Sequence, residues 1–149
     1  MEGTQMNPLY ILRDKYRFFR LIWLPQLQRY WALKKFLPKS GIFLEAGAHD
    51  GITQSNTIGL EKWSKWTGIL VEPIPELAKK CRENRRNAIV EECALVDPPN
   101  ADKAISIWSC GLMSVIKGSH PEEGEHLKKG SGYQNIKPTL ISVAGKTIA

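Results

Sequence analysis

Two glycines and an acid carry most of the recognisable chemistry in this sequence. Gly47 and Gly51 fall in the run Glu45-Ala46-Gly47-Ala48-His49-Asp50-Gly51, directly after the apolar stretch Ile42-Phe43-Leu44. Glycine in such a turn lets the backbone take positive φ and lets a ligand come where a Cβ would collide. Glu72 closes a second apolar run, Ile69-Leu70-Val71, 21 residues after Gly51. A carboxylate at the tip of a second strand, about 20 residues past a glycine turn, can accept hydrogen bonds from both hydroxyls of a ribose. The spacing therefore points to a nucleoside-cofactor site. A strand-to-helix turn that binds nothing can use the same glycines, and it is the strand-end acid that favours the cofactor reading.

The elements that must position these residues follow from periodicity. Ile42-Phe43-Leu44 is too short for a buried helix and suits a strand covered on both faces, with Pro38 and Gly41 punctuating its start. Gln54-Ser55-Asn56-Thr57 offers N-caps for a helix reaching about Trp66, which Gly68 ends before the second strand. Pro73, Pro75 and Glu76 mark the start of another helix. In it Ile74, Leu77, Ala78 and Cys81 form a buried stripe, while Lys79, Lys80, Arg82, Arg85 and Arg86 make a solvated outer face. Ala88-Ile89-Val90 is a third strand. The order β-α-β-α-β gives an α/β fold, half of a parallel doubly wound sheet.

Beyond Asp97-Pro98-Pro99 the rhythm changes. Ala104-Ile105-Ser106-Ile107-Trp108 alternates as an antiparallel strand, and Thr139-Leu140-Ile141-Ser142-Val143 is a last strand. Residues 117–135, with four glycines among charges, read as a mobile loop. His120 and His126 lie near Glu122, Glu123 and Glu125, and solvated loop charges account for them better than a metal site does.

A chain of 149 residues is expected to make one domain, here residues 41–149, behind a basic, aromatic, helical extension over residues 1–40. No run of 18 apolar residues and no leader-like start is visible. Three cysteines without a CxxC pair suggest reduced thiols and a cytoplasmic setting. The net charge of +6 arises in residues 1–40, with eight Lys/Arg against two Asp/Glu; residues 41–149 hold thirteen of each. Leu12, Tyr16, Phe19 and Trp23 keep helical spacing, and Leu27, Tyr30, Trp31 and Leu33 do so more loosely, with Pro25 separating two helices. These read as amphipathic helices packed on the domain. A peripheral membrane or protein contact through residues 9–37 is the alternative. No recognition motif accompanies the charge, so no nucleic acid is expected as a partner.

With these residues laid out, the chain resembles the FkbM family of S-adenosylmethionine-dependent methyltransferases. The similarity rests on Phe43 to Gly51, on Ser55-Asn56-Thr57 with Leu60-Glu61, and on Trp66 to Pro73. Asn84-Arg85-Arg86-Asn87-Ala88 and Cys93-Ala94-Leu95 extend it, so that it runs from about residue 40 to 97 and more thinly to 149. The resemblance implies that Glu45, Gly47, Ala48, His49, Asp50 and Gly51 cradle the methionine part of S-adenosyl-L-methionine. It implies that Glu72, with Pro73, holds the ribose and that Cys93 and Ala94 lie beside the adenine. The activity implied is methyl transfer to an oxygen of a sugar or other small-metabolite hydroxyl; no catalytic base and no metal ligand can be named. Family members continue into a strand ending in an Asp-x-Glu-Gly-type motif. This sequence stops at Ala149, so the resemblance implies a Rossmann-like class I methyltransferase sheet truncated after its first βαβαβ half. Its open edge would need a partner or a second copy, and little or no turnover is expected of the 149-residue chain. Two other functions fit parts of the pattern. An NAD-linked oxidoreductase would use Glu72 equally well, but Gly47-x-x-x-Gly51 lacks the G-x-G-x-x-G that seats a pyrophosphate. A non-catalytic module that binds a cofactor or docks a membrane or partner is the third reading.

Overall fold

The protein is described by a computed structural model covering residues 24–148. Helix α1 (Leu24–Lys34) carries Pro25 in its first turn, where a missing N–H costs nothing. Pro25 thus sits at a helix start; the helix expected before it, with Leu12, Tyr16, Phe19 and Trp23, lies outside the described residues. Tyr30 anchors α1: only 4% exposed, it donates from its hydroxyl to Trp63 O at 2.9 Å and packs edge-on against the Trp63 ring. Trp31 and Leu33, expected on the packed face, are instead exposed.

Strands β1 (Ser40–Ala46), β2 (Lys65–Val71) and β3 (Ala88–Glu91) form a parallel sheet in that order, joined by α2 (Ile58–Trp63) and α3 (Pro75–Asn84). The β-α-β-α-β order is as expected. Helix α2 is shorter than the cap residues suggest, and Trp66, Thr67 and Gly68 belong to β2. Gly68 is therefore not a helix stop: a Cβ there would strike Phe43, so the glycine serves close packing within the sheet. Pairing sets Phe43 opposite Gly68, and Leu44 opposite Ile69, which in turn faces Ile89. Phe43 and Leu70 point toward the helices and pack with Ala48 and Cys81. Ile42, Leu44, Ile69 and Ile89 alternate to the other face and remain exposed, Ile42 by 81%. Parallel sheets are ordinarily covered on both faces. Among the described residues this one is covered on one, and β1 is an edge strand.

A second sheet follows, ordered β4 (Ala94–Leu95), β7 (Thr139–Lys146), β5 (Ala104–Ser109), β6 (Val115–Ile116). β4 runs parallel to β7, while β5 is antiparallel to both β7 and β6, as its alternation predicts. Its core is Ile74, Ala94, Ile107 and Val143. The segment read as a loop over 117–135 contains helix α4 (Glu123–Gln134). Tertiary contacts override its weak propensity. Trp108 Nε1 donates to Glu123 Oε1 at 3.0 Å, and Gly130 packs on Cys110 and Met113 with no room for a Cβ. His120 and His126 stack with centroids 4.7 Å apart, and no group of His, Cys, Asp or Glu among the described residues could hold a metal. No helix among them is long and apolar enough to cross a membrane.

Candidate functional site

The turn after β1 alternates into left-handed backbone at three of its residues: φ is +71° at Gly47, +53° at His49 and +79° at Gly51. Gly47 and Ala48 donate their N–H groups to Val71 O at 2.9 and 3.0 Å, which hooks the turn over the end of β2. Gly51 is needed twice. Its φ disfavours a side chain, and a Cβ would lie 2.7 Å from Arg85 Cγ.

Two carboxylates fasten this turn. Glu72 Oε2 accepts from His49 N at 2.7 Å and its Oε1 from Ile74 N at 3.0 Å, so one buried side chain joins the turn to the start of α3. Each oxygen keeps a second lone pair. Asp50 accepts from Ile52 N, Thr53 N and Thr53 Oγ1 at 2.6–2.9 Å. Burial pushes its carboxyl up, but the His49 ring and the Thr53 and Ile52 donors outweigh this and hold it well below the usual carboxylate range. His49 Nδ1 stands 3.5 Å from Asp50 Oδ1 and has no hydrogen-bond partner among the described residues.

Behind the turn lies a polar network that composition hides. Arg85, taken from sequence as part of the outer face of α3, is fully buried. Its Nε donates to Glu61 Oε2 at 2.6 Å, Nη1 to Gly51 O and Ser55 Oγ, and Nη2 to Thr57 Oγ1, while the guanidinium lies over the Phe43 ring. Glu45 completes it, accepting from Ser55 Oγ, Thr57 Oγ1 and Asn56 N at 2.6–2.8 Å. Ser55 Oγ also accepts from the N–H of Ile58, the first residue of α2. Glu45 is thus committed to holding the turn from behind. The signal for Arg85 was present: Ile74, Ala78, Cys81 and Arg85 fall at i, i+4, i+7 and i+11, one face of α3. The flanking Arg82 and Arg86 masked it.

A cleft of about 180 Å³, open at its mouth, lies at the C-terminal ends of β1 and β2. Ala46, Gly47, Val71, Pro73, Cys93 and Ala94 form one wall, and Ile107, Ser114, Val115 and Ile116 face them from the second sheet. Of the residues singled out by sequence, Gly47, Pro73, Cys93 and Ala94 line this cleft. Glu45, Ala48, His49, Asp50, Gly51 and Glu72 do not; Glu72 is 4% exposed and sits between the lining residues Val71 and Pro73. The second-sheet wall went unnoticed because it is assembled by long-range pairing of β5, β6 and β7, which no local pattern encodes. The lining is apolar apart from Cys93 and Ser114. Burial pushes the Cys93 thiol up, which favours its neutral form. Ser114 Oγ is engaged with Gly111 O and Cys110 N. The space suits a flat apolar ring with few polar attachments. Comparison with family models, curated proteins and solved structures returns no match for this chain.

Proposed function

We propose that this chain is a Rossmann-like, cofactor-binding domain of an S-adenosyl-L-methionine-dependent methyltransferase, acting on a sugar or small-metabolite hydroxyl. One observation carries the reading: Gly47, Pro73, Cys93 and Ala94, scattered in sequence, share one apolar cleft at the strand ends. That is where open α/β sheets bind nucleotides. The adenine would lie between the Pro73–Ala94 wall and Ile107–Ile116, with the methionine end toward Gly47, whose missing Cβ leaves open space.

Charge separates this reading from a dinucleotide enzyme. Glu45, Asp50, Glu61 and Glu72 surround the turn against the single guanidinium of Arg85. A surplus of carboxylates repels a pyrophosphate and tolerates a sulfonium and an ammonium. When bound, S-adenosylmethionine supplies an electrophilic methyl group. The part left to this chain is orientation and exclusion of water, which the rigid turn and apolar walls suit. Among the described residues no carboxylate or imidazole lines the cleft, an observation that favours cofactor binding without turnover as the second reading.

Calorimetry with S-adenosylhomocysteine tests the site. Val115→Trp fills the cleft from the half-buried second-sheet wall and should abolish binding while leaving the circular dichroism spectrum unchanged. Unchanged affinity in a folded Val115→Trp variant overturns the placement, and methyl transfer from labelled cofactor by the 149-residue chain overturns the non-catalytic reading.

A further inference from the structure

The end of the molecule opposite the cleft has its own character. The C-terminal turn of α1, the segment leading into β1 and the α2–β2 junction meet around a cavity at the N-terminal ends of β1 and β2. Tyr30 and Trp63 give it aromatic walls, and Lys34, Lys39 and Lys65 stand at its rim. These three lysines and Lys35 are exposed, and none of the four pairs with a carboxylate among the described residues. The one acid nearby in sequence, Glu61, turns inward to Arg85. Large apolar groups stand exposed beside the charges: Phe36 by 85%, Trp31 by 56%, Leu33 by 37% and Trp63 by 39%. Lys34 Nζ lies 4.6 Å from the Trp31 ring centroid, so cation and indole are presented together.

Each bland explanation leaves something over. Lysines at a helix C-terminus suit its dipole, yet Lys39 and Lys65 are not helical. Single exposed apolar residues are ordinary, yet four of them here share one end of the fold with a ring of unpaired ammonium groups. Unpaired lysines interleaved with Trp, Phe and Leu match an anionic bilayer surface: the ammonium groups meet lipid phosphates and the aromatic groups enter the headgroup region. An acidic protein or polynucleotide would satisfy the lysines but leave Phe36 without an apolar partner.

We infer that the tip formed by the α1 C-terminus and the α2–β2 junction docks on anionic phospholipid membranes, with lipid phosphate at Lys34, Lys39 and Lys65 and Phe36 inserted among the headgroups. The basic residues before α1, Arg13, Lys15, Arg17 and Arg20, add to the attraction through their charge alone. The cleft, at the other end of the strands, stays open to water on a docked molecule.

The test is flotation of the full 149-residue chain with vesicles of phosphatidylcholine containing one third phosphatidylserine, beside vesicles of phosphatidylcholine alone. The chain should float with the first and not the second, and raising the salt should release it. Lys35→Glu with Lys39→Glu should lower partitioning roughly tenfold or more, since each lysine near an anionic surface contributes about fivefold. Phe36→Ser should weaken it while leaving the salt dependence in place. Both variants alter exposed residues, and an unchanged thermal melt confirms that they fold. Equal flotation with neutral vesicles, or full flotation of the Lys35→Glu, Lys39→Glu variant, overturns the inference; the latter would move the contact to residues 1–23. Binding of the wild-type chain to heparin but not to vesicles would overturn it in favour of a polyanion partner.

Discussion

Replacing Arg85 by methionine removes the one cation from a buried cluster that holds two carboxylates. The guanidinium is fully buried and donates to Glu61 at 2.6 Å, to Gly51 O at 3.1 Å, and to both Ser55 and Thr57 at 3.0 Å. Methionine keeps much of the volume, so the cavity term is small and the electrostatic term dominates. Breaking a buried pair by deleting one partner costs about 3–5 kcal/mol, because the remaining charge is left uncompensated. Set against a total stability of about 5–15 kcal/mol, that is a large share. Urea unfolding followed by tryptophan fluorescence should show the loss as a lower midpoint with little change in slope. Adding Glu61→Gln to Arg85→Met should recover part of it, since the orphaned carboxylate is then neutral. The recovery is a coupling between two residues in direct contact. A loss under about 1 kcal/mol, or losses that simply add in the double variant, would refute the account of Arg85 as the charge that holds the turn.

Two further outcomes follow from the same region. Asp50 is held below its ordinary range in the fold, so its contribution to stability is present above the unfolded value of about 4 and fades as pH falls below that. Unfolding measured between about pH 6 and pH 3 should therefore show a shallower acid loss in Asp50→Asn than in the wild type, and parallel curves would sink the assignment. Cys81 is pushed up to about 11, chiefly by burial, with Arg85 pulling it down and Glu72, Glu45 and Asp50 pushing it up. Cys81 and Cys110 are fully buried, away from the cleft that Cys93 lines, so a thiol reagent should label these two at the rate of global unfolding. Fast labelling of either in the folded protein would contradict the packing.

The parallel half of the fold was legible because its signals are local. Short apolar runs, prolines at the start of α3 and the spacing of Ile74, Ala78 and Cys81 each sit within a few residues of what they determine. Glycine was legible only in part. Gly47 and Gly51 do take positive φ, but Gly68 looked like a helix stop and is a packing position under Phe43. Helix α4 was missed for the opposite reason. Its glycines and charges give no stripe, and the helix is held from outside by Trp108 at Glu123 and by Leu112 and Cys110 at Gln134. The carboxylates were found but their partners were not. Glu45 and Glu72 stood out as acids at strand ends, yet nothing in the sequence showed that Ser55, Asn56, Thr57 and two backbone amides would occupy their oxygens.

The net charge of +6 conceals a separation along the strands that bears on both proposals. Ser40 pairs with Lys65 at one end of β1 and β2, and Ala46 pairs with Val71 at the other. Seven residues of strand place these ends roughly 20 Å apart, at about 3.3 Å per residue. Exposed charges that far apart are largely screened from each other, since the Debye length in physiological salt is about 8 Å. The lysine tip can therefore meet an anionic surface without cancelling the carboxylate surplus around the turn. The same surplus at Glu45, Asp50 and Glu72 keeps the cleft end from binding that surface, since like charges repel. A chain whose basic and acidic groups were mixed along the strands would dock in many orientations. Here the four lysines of the tip and the carboxylates around the turn lie at opposite ends of β1 and β2, and a docked molecule would hold its cleft toward the solution.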